Sequence, residues 1–201
     1  MSASSLPKSA VSALALASLL LFTVVGCDGA GEDGGRTGTL QVMLTDAPFP
    51  FESAEAANVT IERVVALPAS DSPDVEEDKR FVLTDETQSF NLLELRDGVT
   101  APLAGEELPA GTYEQIRLIL GGEASVVMDD GTTYDLQVPS GTQTGVKVLL
   151  GGLDISVGEE TELTLDFDVG KSFVTKGNPG APGGVQGFLF KPVVTVERID
   201  E

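Results

Sequence analysis

Tyr113-Glu114-Gln115-Ile116-Arg117-Leu118-Ile119-Leu120 decides the fold class, because it sets Ile116, Leu118 and Leu120 opposite Gln115, Arg117 and Ile119. Period two marks a half-buried strand, since successive side chains of an extended chain point to opposite faces. The pattern recurs upstream. Across 39–45, Leu40, Val42 and Leu44 share one face; across 58–67, Val59, Ile61, Val65 and Leu67 do so, interrupted by Arg63. Further strand candidates are 81–84, 125–128, 133–138, 146–150, 160–169 and 187–199. Turn chemistry separates them. Asp129-Asp130-Gly131 reads as a hairpin turn, since Asp and Gly tolerate positive φ. Pro109-Ala110-Gly111 opens one strand, and Gly121-Gly122, Gly151-Gly152 and Gly158 close others. Loops are acidic over 70–78 and rich in Gly and Pro over 176–186. Helical character is confined to 53–57 and 92–96, and neither is long enough to stand alone. About nine short strands with tight turns predict an all-β fold, a single antiparallel β-sandwich of the prealbumin or immunoglobulin kind with one or two very short helices.

The region before the first strand reads differently. Lys8 precedes a stretch from Ala10 to Val25 that is apolar apart from Ser12, Ser18 and Thr23, and Val24-Val25-Gly26-Cys27 ends it with the chain's single cysteine. This junction resembles the bacterial lipobox, whose cysteine sulfur takes a diacylglycerol and becomes the new N-terminus. The expected organisation is a lipoprotein signal peptide at 1–26, a lipid-attached flexible tether at 27–38, and a β-sandwich domain at 39–201. The Gly-rich tether spans roughly 17–20 Å as a random coil. The localisation this implies is the cell envelope, outside the cytoplasm, with the membrane as partner through the lipid. Whether that membrane is the inner or the outer one stays open.

Composition narrows the chemistry. Residues 1–26 hold one base, Lys8, and no acid, so cleavage leaves 11 bases against 32 acids, a balance of −21. Such a surface repels nucleic acid and anionic headgroups. No histidine is present, which removes Ser-His-Asp and Cys-His catalysis and the usual zinc sites. Tryptophan is absent and Tyr113 and Tyr134 are the only tyrosines, so little aromatic surface is offered to a sugar ring. With 32 carboxylates, no acid/base pair can be singled out by spacing.

Five short motifs stand out: Thr45-Asp46-Ala47-Pro48, Leu108-Pro109-Ala110-Gly111-Thr112-Tyr113, the run from Pro139 to Lys147 (PSGTQTGVK), Asp166-Phe167-Asp168 with Lys171-Ser172, and Phe190-Lys191-Pro192. In this order they resemble a family of bacterial and archaeal exported domains catalogued as a domain of unknown function, over about Gly38 to Val196. The resemblance implies a lipoprotein domain, a β-sandwich, and no established activity. The Pro-Ala-Gly-Thr-Tyr opening of a strand is similar, at the level of fold, to prealbumin-type sandwiches.

Read physically, the motifs gather aspartate and lysine. Asp166 and Asp168, two apart on a strand, share a face at about 7 Å, while Leu163, Leu165, Phe167 and Val169 face the core. Lys191 and Lys147 lie among apolar neighbours, so each must snorkel outward or meet a carboxylate. Three readings compete for Asp46, Lys147, Asp166, Asp168, Lys171 and Lys191. The first is a set of ion pairs locking the sandwich rim. The second is a Ca²⁺ or small-ligand site on Asp46, Asp166 and Asp168, whose spacing matches no known calcium loop. The third is a carboxylate-based hydrolase. A Lys–Asn crosslink through Asn58 or Asn91 is a further minor alternative. The expectation is a non-enzymatic binding or structural module with no catalytic residue and no cofactor, acting on an unknown envelope or extracellular ligand. Cation-dependent ligand binding or adhesion is its alternative.

Overall fold

A computed structural model describes residues 36–46, 53–70, 79–138, 145–177 and 184–201. Cys27 with its leader, Ala47-Pro48, and 139–144 lie outside the described residues. Within them the chain forms β1 (Thr37–Thr45), β2 (Ala54–Pro68), β3 (Phe81–Thr84), β4 (Gln88–Asn91), β5 (Ala101–Pro109), β6 (Gly111–Met128), β7 (Thr133–Gln137), β8 (Val146–Ile155), β9 (Glu160–Phe167), β10 (Phe173–Gly177), β11 (Val185–Phe190) and β12 (Val194–Asp200). A 3-10 turn, η1, covers Leu92–Leu95, and one helical turn, α1, covers Val169–Ser172.

The fold is an all-β sandwich. One sheet has the order β12-β9-β1-β5. The other is built on two long strands, β2 and β6, with β3 and β4 along the free edge of β2 and β7 and β8 along that of β6. A separate hairpin, β10-β11, completes the fold. Among the described residues all pairings are antiparallel except β1 with β9, which runs parallel from Thr39 opposite Glu160 to Thr45 opposite Asp166.

The alternating residues do what their period requires. Leu40, Val42 and Leu44 of β1 and Leu163, Leu165 and Phe167 of β9 are wholly buried against Val59 and Ile61 of β2 and Ile116, Leu118 and Leu120 of β6. Each such side chain contributes roughly 1.5–3 kcal/mol by leaving water. Four expectations are corrected. Residues 53–57 are not helical, because β2 begins at Ala54, opposite Met128, and sheet pairing overrides the helical preference of alanine. Gly121-Gly122 and Gly151-Gly152 do not end strands; β6 and β8 run through them as bulges. The 187–199 run breaks at 191–193, where the chain leaves β11 and enters the four-stranded sheet as β12. The first strand begins before the boundary expected at 39, because Gly38 lies within β1, where a Cβ would overlap the carbonyl oxygen of Ser156.

Tyr113 anchors the start of β6. Its ring is fully buried and meets Phe81 edge-on at 5.9 Å, while its hydroxyl donates to the Pro109 carbonyl at 2.9 Å. Burial pushes the phenol up to about 12. Gly111, at φ 153°, makes the sharp step between donor and acceptor. Tyr113→Phe removes this single bond, so denaturant unfolding should show a loss of about 1 kcal/mol. Tyr113→Ala also empties the ring's volume and should cost about 3–5 kcal/mol, by analogy with other aromatic truncations.

Candidate functional site

The rim of the four-stranded sheet, where β1 and β9 end side by side, holds most of the motif residues. Thr45 is buried, and its hydroxyl lies within reach of two carbonyl oxygens, Leu95 at 3.0 Å and Val99 at 2.9 Å. The Asp46 N–H donates to the Leu95 carbonyl at 3.1 Å. These bonds pin the end of β1 to η1 and leave the Asp46 side chain directed inward, at 4% exposure. There Asp46 Oδ1 accepts the Val169 N–H at 3.0 Å.

Val169 opens α1, and Asp168 makes that turn possible. As its N-cap, Asp168 accepts the Lys171 N–H through Oδ1 at 2.8 Å, satisfying one of the donors a helix start leaves free. Its Oδ2 pairs with Lys171 Nζ at 2.5 Å, the lysine side chain being 73% exposed. Ser172, fully buried, closes the far side. Its Oγ accepts the Val193 N–H at 2.9 Å and its carbonyl accepts the Lys191 N–H at 2.7 Å. The Asp168 N–H donates to the Val193 carbonyl at 3.1 Å. Residues 168–172 and 191–193 thus clasp each other through their main chains. Below them Phe190 stacks on Phe167 at 6.4 Å and tilts against Phe173 at 4.8 Å.

Burial dominates the electrostatics of Asp46. It raises the carboxyl from 3.8 to about 7; Asp166 and Asp168 push the same way, while the Val169 N–H and the Arg96 guanidinium oppose. Its second oxygen, Oδ2, is buried with no hydrogen-bond partner, which a neutral carboxyl tolerates far better than a carboxylate. The Lys171 ammonium is held above its usual value by the hydrogen bond and charge of Asp168.

The fold therefore brings Asp46, Asp166, Asp168 and Lys171 together, and leaves Lys147 and Lys191 out. Asp166 sits on β9 between Thr45 of β1 and Thr195 of β12. Lys147 is exposed on β8, opposite Arg117 of β6. Lys191 is also exposed, and it is its main-chain N–H that joins the clasp. Neither lysine enters an ion pair found among the described residues. Asp168 does not extend the face of Asp166 along the strand, because β9 stops at Phe167 and Asp168 turns to cap α1. Among the described residues, no three acidic or other ligating side chains gather at a spacing that could hold a metal ion. Asn58 and Asn91 face each other across β2 and β4 with their amides hydrogen-bonded, Asn58 Nδ2 to Ser125 Oγ at 3.2 Å and Asn91 Nδ2 to Glu94 Oε1 at 3.0 Å.

Sequence reasoning missed the working roles of Thr45, Arg96 and Ser172. The two hydroxyl residues carried a signal, since both lie inside motifs beside a charged residue, but a partner carbonyl some 50 residues away leaves no trace in local spacing.

A β-sandwich whose rim is closed by a capped helical turn and a main-chain clasp is the class of domain these observations define. The family described as Domain of unknown function (DUF4382) matches residues 37–192, from the first strand through the clasp to Pro192, and the chain belongs to that family. No curated protein and no solved structure matches the chain.

The titration of Asp46 has a definite sign. The folded chain keeps a proton on this carboxyl up to about pH 7, whereas the unfolded chain releases it near 3.8. Between those values the folded state binds more protons, so this group's contribution to stability is present at low pH and falls as pH rises through the window. Asp46→Asn keeps an oxygen acceptor for the Val169 N–H and cannot ionise. Melting temperatures measured from pH 4 to pH 8 should diverge, the variant becoming the more stable at pH 8 by as much as about 4 kcal/mol. Parallel profiles would show that the carboxylate is not destabilising.

Proposed function

We propose that this chain is an extracytoplasmic lipoprotein, tethered through a diacylglycerol on Cys27, whose sandwich serves as a non-enzymatic binding or structural module. The observation that carries the reading of the domain is the use of the motif acids. Asp46 accepts the Val169 N–H and Asp168 accepts the Lys171 N–H, so both hold the fold of the rim. A general acid or nucleophile would need an oxygen presented to solvent, and Asp46 lies almost fully inside. The anchoring half rests on the Val24-Val25-Gly26-Cys27 junction after an apolar stretch.

One observation favours a second reading, cation-dependent binding. The unpartnered Oδ2 of Asp46 lies in the fields of Asp166 and Asp168, and a cation would relieve all three. The structural reading is preferred because that oxygen is sealed from solvent and the cluster lacks coordination spacing.

Two measurements test the proposal. Cys27→Ser should abolish palmitate labelling and release the protein from the membrane fraction; membrane retention with an intact signal sequence would instead favour an uncleaved anchor. Calcium should leave the melting temperature unchanged. A cation bound only by the folded state would add about 2.7 kcal/mol at a hundredfold excess over its Kd, and such a gain, lost in an Asp166→Asn/Asp168→Asn double variant, would establish the second reading.

A further inference from the structure

The six-stranded sheet carries a trough of about 610 Å³ on its outer surface. The lining residues Asn58 and Thr60 alternate with buried Ala57, Val59 and Ile61 on β2, and Glu123 and Ser125 alternate with buried Ala124 and Val126 on β6. They therefore face away from the core. The pairing aligns them. Asn91, Asn58, Ser125 and Asp135 stand opposite one another in sequence across β4, β2, β6 and β7, making one polar row four strands wide. Beside it Ser89 faces Thr60, their hydroxyl oxygens 3.0 Å apart, and Glu123 faces Gln137.

The bulge shapes the trough. Leu120 stands opposite Ile61 and Ala124 opposite Val59, so residues 121–123 together face Thr60 alone. The two glycines in that bulge have different reasons to be there. At Gly121 a Cβ would press on the Thr60 side chain at 3.0 Å. Gly122 has nothing within 4 Å of its Cβ position and no positive φ, so neither packing nor backbone conformation requires glycine. What its missing side chain leaves is the open trough it lines.

We propose that this trough binds a neutral saccharide, which deepens the binding half of the function proposed above and rests on it. The lining supplies hydroxyls (Thr60, Ser89, Ser125), a carboxamide (Asn58) and carboxylates (Glu123, Asp135). Sugar hydroxyls donate and accept at once, and this set answers both: the carboxylates and the Asn58 Oδ1 accept, and the side-chain hydroxyls do either. The Asn91 amide is excluded, because its oxygen takes the Ala57 and Leu93 N–H groups and its nitrogen the Glu94 carboxylate. Among the described residues no cationic side chain lines the trough, and with two carboxylates in a chain of net charge −20 an anionic ligand is repelled. A peptide would add itself along an open sheet edge or seek apolar pockets, whereas this is a sheet face with its ladder bonds already made, where Phe90, Ala124 and Leu136 lie among a majority of polar groups. Phe90, half-buried, is the aromatic residue of the lining, so recognition here proceeds chiefly by hydrogen bonds, and the affinity is modest and insensitive to salt.

The test uses the full chain purified in detergent. It is screened against neutral gluco-, manno-, galacto- and chito-oligosaccharides, and hits are followed by calorimetric titration at low and high ionic strength. At least one saccharide should bind. Asp135→Ala, at an exposed position, should weaken it about tenfold, and Gly122→Phe should fill the trough and abolish binding, both with unchanged melting temperatures. Glu106→Ala, on β5 of the other sheet, should bind as the parent does. The inference is overturned by failure of every neutral saccharide to bind, or by binding that survives both trough variants. Binding of a polyamine or peptide alone would also overturn it, while leaving a binding module in place. Palmitate labelling of the same preparation reports on the anchor independently.

Discussion

The pairing of β2 with β6 is the constraint on which the rest of the sandwich depends. It runs from Ala54 opposite Met128 to Pro68 opposite Tyr113, and every other strand of that sheet is attached to one of these two. Strands of 15 and 18 residues cannot stay straight, because each residue adds right-handed twist. The ladder takes up the accumulated twist in bulges, one of them where Gly121, Gly122 and Glu123 face Thr60. Beyond that bulge the pairing resumes with Ala124 opposite Val59 and Ser125 opposite Asn58. The trough is thus a product of strand length, and its open floor a product of one glycine with no steric duty.

The opposite sheet solves a different problem. Its central pair, β1 and β9, is parallel, so both strands end at the same rim and bring two chain exits together there. Two exits in one place leave main-chain donors without ladder partners, and an orphaned buried N–H is costly. Asp46, Asp168 and Ser172 answer that need by accepting the Val169, Lys171 and Val193 N–H groups. The acid chosen for the buried position carries an electrostatic cost, since burial and two acidic neighbours disfavour the charge on Asp46, and the Val169 N–H and Arg96 offset this only in part. At Asp46 the rim is held by a neutral hydrogen bond below about pH 7 and loosened by that group's own charge above it.

Much of the fold was legible in the sequence, and the part that was not shares a cause. Leu40-Val42-Leu44 and Ile116-Leu118-Leu120 announced their faces because period two survives along an unbroken strand. β5 escaped notice because its buried residues, Leu103 and Leu108, are five apart: Val42 faces Ala104 and Met43 faces Pro102, so a bulge at Leu103 shifts the phase. Gly121-Gly122 and Gly151-Gly152 read as strand ends because a turn and a bulge ask for the same residue, and only the partner strand tells them apart. At the site, Asp46, Asp166, Asp168 and Lys171 were singled out together with Lys147 and Lys191, two lysines included for their motifs and their apolar neighbours. Alternation on β8 turns Lys147 outward, and no local pattern reveals which strand lies beside it.

The two polar regions differ in what they do with hydrogen-bonding capacity. At the rim, oxygens of Asp46, Asp168 and Ser172 are aimed at main-chain N–H groups, and Asp46 and Ser172 are sealed from water. Removing such a group strands a buried donor. Along the trough, Ser89, Glu123 and Asp135 are exposed, and among the described residues the hydroxyls of Thr60 and Ser89 are joined only to each other. These groups keep their capacity for water or for a ligand, and the sheet's ladder holds without them. In the polar row aligned across four strands, Asn91 is committed to the Ala57 and Leu93 N–H groups, as the rim acids are to theirs, while Asp135 at the other end stays exposed. On this chain the motif acids Asp46 and Asp168 are bound to the rim's own main chain, while Ser89, Glu123 and Asp135 stay exposed on the other sheet.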